Sequence, residues 1–324
     1  MGQRRPPAGQ REKLIVMSTT AVGLLDDASR AGGIGRRWRP TSASSLLLAP
    51  AVVIVCFCLL VPLSYVVILS FNPPVSGEVE LTADLTLANY ARLFLQWFYT
   101  GILLRTISIS AITTALCAVF GMVLALAIWR APPRRRGLLV IIVISPLLVS
   151  IVTRTYGWMV VLGDAGILNT LLRAIGLVDE PLHMMFTQGA VVVGLVHVFL
   201  PLMVLSILAA MDKIDPALAQ AAQTLGASSF MTFWQITFPL LIPGLTAGVT
   251  IVFSLAMSSY VTPALMGGRN SGMLTTLIYQ QFVVTFNWHF GAALVVVLLA
   301  TSLLALALVL LESSRRTRAW LVKP

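Results

Sequence analysis

Six long apolar stretches leave this chain few ways to fold. They run over 46–71, 104–129, 137–163, 189–211, 239–265 and 288–311. Each is long enough to cross about 30 Å of hydrocarbon at about 1.5 Å per residue. Inside lipid every backbone N–H and C=O must find its partner within the protein, so only helices and closed barrels span. Continuous apolar runs of this length read as helices, not as alternating barrel strands. The composition agrees: 58% of the residues are hydrophobic and 10% are charged, whereas soluble domains carry about 25% charged residues. The expectation is an all-α polytopic membrane protein with six transmembrane helices. Arg154 interrupts the third stretch, so 137–153 is expected in the hydrocarbon and 154–163 near the interface.

An even number of spans puts both termini on one side, and the basic residues name that side. Seventeen Lys and Arg lie before the first span, in 130–136, in 212–238 and in the tail, against five on the opposite side. The reading is therefore N-in/C-in. The net charge of +10 is accounted for by this topology and by attraction to anionic lipid heads, with the bilayer as partner and no nucleic acid. Residues 1–45 are rich in Arg, Gly and Pro with a short apolar patch at Leu14 to Met17. That patch is too short for a cleavable signal peptide, so a largely disordered cytoplasmic arm is expected. The membrane-spanning body then covers 46–311, and 312–324 are expected to form a short basic cytoplasmic tail. Cys56, Cys58 and Cys117 all fall in apolar runs and read as small buried apolar residues, not metal ligands.

The outward loops are unequal. Residues 72–103 carry Glu78, Glu80 and Asp84 and then an amphipathic stretch, 164–188 suggest a short helix on the surface, and 266–287 read as a further loop. Their sizes suit a docking face for a soluble partner.

The polar interruption at 212–238 is more specific. Asp215-Pro216 is a helix start, because the Asp oxygen caps free N–H groups and Pro is tolerated at the first helical position. Ala217 to Leu225 is helix-prone, and Gly226 is placed to stop it in the left-handed conformation. Ser228 or Ser229 can cap a second short helix carrying Phe230, Phe233, Trp234 and Ile236, until Pro239 breaks the ladder. Small Ala221 and Ala222 allow another surface to approach closely. The aromatic arm is expected to pack against the protein's own spans.

Within this loop Gln220-Ala221-Ala222 is followed, after three residues, by Gly226-Ala227, then by Ile236 nine residues beyond Gly226, and by Pro239. The spacing resembles the EAA loop of ABC-importer permeases. Arg154-Thr155-Tyr156-Gly157-Trp158, Ser259-Tyr260-Val261-Thr262-Pro263 with Gly267-Gly268, and Asn89-Tyr90 with Leu93-Phe94 resemble segments of the spermidine/putrescine-type branch. The resemblance covers roughly residues 45–315. It implies a type I importer permease (MetI-like) fold in a bacterial inner (plasma) membrane. It also implies alternating access for a small solute, polyamine-like or otherwise polar. An extracytoplasmic solute-binding protein would deliver that solute. A second permease subunit, commonly a different chain, would complete the path. A cytoplasmic ABC ATPase dimer would dock on the loop and use ATP and Mg. One position departs from the pattern: the leading Glu is Gln220 here, which keeps shape and hydrogen bonding but loses charge.

Chemistry inside the spans is sparse. No Asp or Glu falls in the six cores apart from Glu312 and Asp212 at the inner ends, so the carboxylates expected of a polycation site are missing, and Arg154 favours an anion or a structural pairing. Candidate path residues are Arg154, Tyr156, Trp158, His197, Tyr260 and Thr262. Pro146, Pro201, Pro243 and Pro263 are expected to break four spans. No catalytic or metal-binding residue is assigned, because His183, His197 and His289 sit in separate segments without ligand spacing. No phosphate-binding G-x-x-x-x-G-K-[ST] motif occurs, so ATP hydrolysis must come from another chain; the expectation is a transport subunit, not an enzyme, that binds no cofactor of its own. The competing reading is a stand-alone secondary transporter or channel, which predicts buried acidic coupling residues or inverted repeats.

Overall fold

The computed structural model describes residues 42–73, 84–268 and 271–321, with side chains from 49 to 312. The N-terminal arm lies outside these residues except for its last few positions, as do Glu78, Glu80, Arg269 and the end of the tail. All regular structure among the described residues is helical. In chain order the helices are α1 (Ser42–Ser70), α2 (Ala88–Leu95), α3 (Trp97–Arg130), α4 (Pro133–Ile144), α5 (Ile151–Leu162) and α6 (Ile167–Ala174). Then follow α7 (Gln188–Met211), α8 (Pro216–Thr224), α9 (Ser229–Ser258), α10 (Val261–Met266), α11 (Leu274–Val284) and α12 (Trp288–Leu321). Five helices are long and apolar enough to cross a membrane: α1, α3, α7, α9 and α12. The sixth span is a bent pair, in which Pro133–Leu148 and Ile151–Ala174 meet at 95°.

The chain divides after Val61 into two compact units. The first contributes the early turns of α1, whose side chains from Ala49 to Val61 are exposed. Cys56 and Cys58 lie on this stretch and are exposed too, contrary to the expectation of buried cysteines; only Cys117 is enclosed. An apolar run need not be buried by its own chain when lipid is the solvent.

The second unit, Pro62–Pro324, is organised around α7. Of its apolar window 61% is buried, against 11% for α12. The reason is small residues on both neighbours. A Cβ on Gly121 of α3 would come 2.7 Å from Met203 Cγ, and one on Gly248 of α9 would come 2.6 Å from Met203 Sδ. Met203 of α7 is thus held between two bare backbones. A third glycine, Gly244, presses against Ala210 and the Ser206 carbonyl. Close backbone approach at small residues is the usual source of helix association in lipid, where apolar burial drives little. A second cluster, including Leu93, Tyr99, Ile102, Leu274 and Phe290, seats α2 and α11 on the outer ends of α3 and α12.

The prolines behave unequally. Pro146 does break its span: a 3-10 turn over Ser145–Leu148 is followed by extended Val149 and Ser150. Pro201 and Pro243 lie inside unbroken helices, against expectation. Each removes one ladder bond, and packing on flanking helices holds the axis. Pro263 sits in the first turn of α10, where its missing N–H leaves no bond unmade. The span expected at 239–265 instead runs over Ser229–Ser258. Pro239 does not interrupt it, because a π-turn at Phe233–Thr237 precedes it, with the Phe238 N–H donating to the Phe233 carbonyl. The wider turn changes register where the proline ring would otherwise meet the preceding turn.

Residues 266–287, expected as a loop, are also different. They fold back as α11, whose Leu274, Thr275, Leu277 and Gln281 are buried. The Leu274 N–H donates to Thr106 Oγ1 at 2.8 Å, and the Thr275 hydroxyl to the Ser259 carbonyl at 2.7 Å. The short surface helix expected in 164–188 is α6, anchored by Asn169, which donates to the carbonyls of Gly163 and Leu182.

Candidate coupling and translocation site

The 212–238 segment folds as its local chemistry directs. Asp215 Oδ1 accepts from the Ala217 N–H at 2.8 Å and opens α8. At the other end Gly226 has φ +90°. Its N–H donates to the Gln223 carbonyl and that of Ala227 to the Ala222 carbonyl, both at 3.0 Å. This bond pair is a Schellman ending, and a side chain at Gly226 would be strained in it. Ser228 Oγ accepts from the Met231 N–H and opens α9.

Gln220, Ala221 and Gly226 are exposed, while Ala222, Ala227, Ile236 and Pro239 are half-buried. The expected packing of the aromatic arm onto the spans is found in part: Phe233 and Ile236 are half-buried, with Phe233 lining a cleft against α3, while Phe230 and Trp234 are exposed. Phe230 is 75% exposed and Trp234 is 49% exposed. These rings meet one another instead: Phe230 with Trp234 at 6.2 Å and Trp234 with Phe238 at 4.9 Å. Their four-residue spacing lines them along one helix face, and that face turns outward. Leu225, at the end of α8, is 88% exposed as well.

Two clefts flank the segment. One, of about 650 Å³, runs between the inner halves of α7 and α9 and the start of α8, with Lys213 and Asp215 in its wall. The other, of about 370 Å³, separates Ala219, Gln223 and the π-turn from Leu126, Trp129 and Arg130 of α3. An ion pair between Arg136 and Asp212 ties the base of α4 to the end of α7. The segment is therefore anchored at its first residue and at the π-turn, with open volume on either side.

The path candidates divide into three groups. Trp158 Nε1–H donates to His197 Nδ1 at 2.9 Å, and their rings meet edge to face at 5.6 Å. Arg154 lies within electrostatic reach of His197. Its Nη2 donates to the Val149 carbonyl at 2.8 Å, one of the acceptors that the break at Pro146 leaves without a helical donor. Its Nε and Nη1 are enclosed without a partner among the described residues. Thr262 is fully buried, its methyl pressed on Gly194 one turn from His197 along α7. Tyr260 belongs elsewhere: its ring lies 4.8 Å from that of Tyr279, a residue no local sequence pattern singles out. Tyr156, 53% exposed, joins none of these. Among the described residues no group of three His, Cys, Asp or Glu is placed to hold a metal.

The structure is thus a helical bundle with a broken third span and a capped helix–glycine–helix element leading into its fifth. Residues 118–318 match the family described as binding-protein-dependent transport system inner membrane component. The chain belongs to this family. It is 34% identical over 237 residues to the spermidine/putrescine transport system permease protein PotB of Haemophilus influenzae, covering 73% of this chain and 82% of that protein. It is 38% identical over 208 residues to PotB of Escherichia coli K12, covering 64% of this chain and 75% of the relative. Among solved structures it shares its fold with a chain of a bacterial ABC transporter involved in the import of the acidic polysaccharide alginate. There the TM-score is 0.71 at 19% identity, over 86% of this chain and 99% of the other. The protein is a permease subunit of an ABC importer.

Proposed function

We propose that this subunit forms half of the path for a small polyamine-like solute in a bacterial inner membrane. A second, different permease chain supplies the other half, a soluble binding protein delivers the solute outside, and a cytoplasmic ATPase dimer supplies ATP hydrolysis with Mg. The observation that carries the coupling role is the uncovered surface of the 212–238 segment: exposed Gln220, Ala221 and Leu225 beside an outward aromatic face. The Gly226 turn joins α8 to the span Ser229–Ser258, which runs through the π-turn as one helix. Motion imposed on the segment has open clefts to move into and a continuous helix to move. Alternating access then follows as a switch between two packed arrangements.

Gly226→Pro tests this directly. Membrane insertion is expected to be normal and solute-stimulated ATPase activity of the reconstituted complex to be lost; unchanged activity sinks the coupling role. Gln220→Glu is expected to be nearly silent in the same assay if Gln220 acts by shape alone.

The polyamine reading rests on the relatives. A different cargo, a small anion or zwitterion, is favoured by one observation: Arg154 keeps two enclosed guanidinium nitrogens without a partner among the described residues, while the described spans lack internal carboxylates. Binding-protein-dependent uptake of labelled spermidine, competed with a small phosphonate, separates the two. Competition by the phosphonate alone, with no spermidine uptake, removes the polyamine reading.

A further inference from the structure

On the outer side, a pocket of about 290 Å³ opens between the first turns of α3 and α11. Its charged group is Arg105, half-buried and without a hydrogen bond or ion pair from its guanidinium among the described residues. No Asp or Glu lines the pocket; Gln280 and Thr276 are its other polar side chains. Ile102 and Leu277 form an apolar floor, and Trp97 and Phe98 stand at the rim, 79% and 66% exposed. Thr276 already donates its hydroxyl hydrogen to the Met273 carbonyl at 2.6 Å. The free donors are therefore the Arg105 N–H groups and the Gln280 amide.

Depth narrows the ligand. Exposed aromatic side chains at the end of a span sit at headgroup level. Arg105 follows Trp97 by eight residues, or about 12 Å of helix. Side chains tilt toward a helix's N-terminus, which for α3 is outward, so the guanidinium reaches back toward the phosphate level as a snorkelling arginine does. A donor fork at that depth, above an apolar floor and beside aromatic rings, matches a phosphate ester carrying an acyl chain. We propose that this pocket binds one outer-leaflet phospholipid, with its phosphate on Arg105 and Gln280 and an acyl chain along Ile102 and Leu277.

Gly101 offers a clean way to fill the pocket, because a Cβ there meets nothing within 4 Å. The test is native mass spectrometry of the purified, delipidated transporter complex, titrated with dioleoylphosphatidylglycerol. Wild type is expected to retain one tight lipid. Arg105→Gln and Gly101→Leu are each expected to weaken that binding by about tenfold or more. Arg173→Gln, a change at an outer-face arginine away from the pocket, is expected to leave it unchanged. Equal retention by wild type and both pocket variants overturns the proposal. Displacement of the lipid by millimolar inorganic phosphate also overturns it, by making this a site for a free anion.

Discussion

Pro146 and Pro201 lie in two different spans of this protein, and their helices respond in opposite ways. In α7 Pro201 sits in an unbroken helix of 24 residues. In the third span Pro146 accompanies a 95° bend. Proline removes the same donor in both cases. What differs is the surroundings: Met203, two residues from Pro201, is gripped between Gly121 and Gly248, whereas α4 and the 3-10 turn after it have no buried residue. Grip accompanies the unbroken axis of α7, yet Pro62 in the exposed and unbroken α1 shows that lack of grip alone does not bend a span; at Pro146 the bend comes with the 3-10 turn and the extended residues Val149 and Ser150. The freed Val149 carbonyl is then recovered by Arg154, a residue that on sequence alone looks like a cargo contact.

The strongest way to break this contrast is to remove the grip. Gly248→Leu drives a side chain into Met203 and is expected to destabilise the bundle by about 3 kcal/mol, read as a lower melting temperature of the purified complex in detergent. Retention of the wild-type value means that the seam does not hold α7. Next, Pro146→Ala restores a donor at the break, where the Arg154 bond to the Val149 carbonyl remains. Helix propensity there changes by up to about 3 kcal/mol, so the bend is expected to straighten, and uptake in proteoliposomes to fall about tenfold with normal expression. Full uptake would show that Ser150 and Arg154 suffice to set the break. Trp158→Phe removes the hydrogen bond that joins α5, just past the bend, to α7. It is expected to cost about 1 kcal/mol by the same melting measurement, and no change would mean that the edge-to-face packing carries the contact. The smallest effect belongs to Pro201→Ala, which restores one bond in a helix already straight and is expected to move stability by about 0.5 kcal/mol.

The same contrast explains what was legible in the sequence. Span number and the architecture of 212–238 depend on local rules, and Asp215, Gly226 and Ser228 obey them at the atoms expected. The effect of a proline depends on partners far along the chain, so Pro146 and Pro201 look alike until Gly121 and Gly248 are placed. Residues 266–287 contain Gly and polar residues and read as a loop, yet Thr106 and Ser259, distant in sequence, supply hydrogen-bonding partners that let α11 settle inside the bundle. Of the path candidates, Trp158 and His197 meet as a pair, while the partner of Tyr260 could not have been chosen from spacing.

The π-turn before Pro239 has a mechanical meaning. Because it preserves continuity, Ser229–Ser258 is one rod of 30 residues, about 45 Å long, with one end in the cytoplasmic segment and the other next to Tyr260. The glycines packed most closely on α7, Gly244 and Gly248, fall near the middle and would serve as a fulcrum in the proposed coupling. A tilt of about 5° about that point displaces each end by about 2 Å in opposite senses, by the rise per residue alone. A hinge at Pro239 would absorb such a tilt; a continuous rod would carry it, inverted, to the outer end.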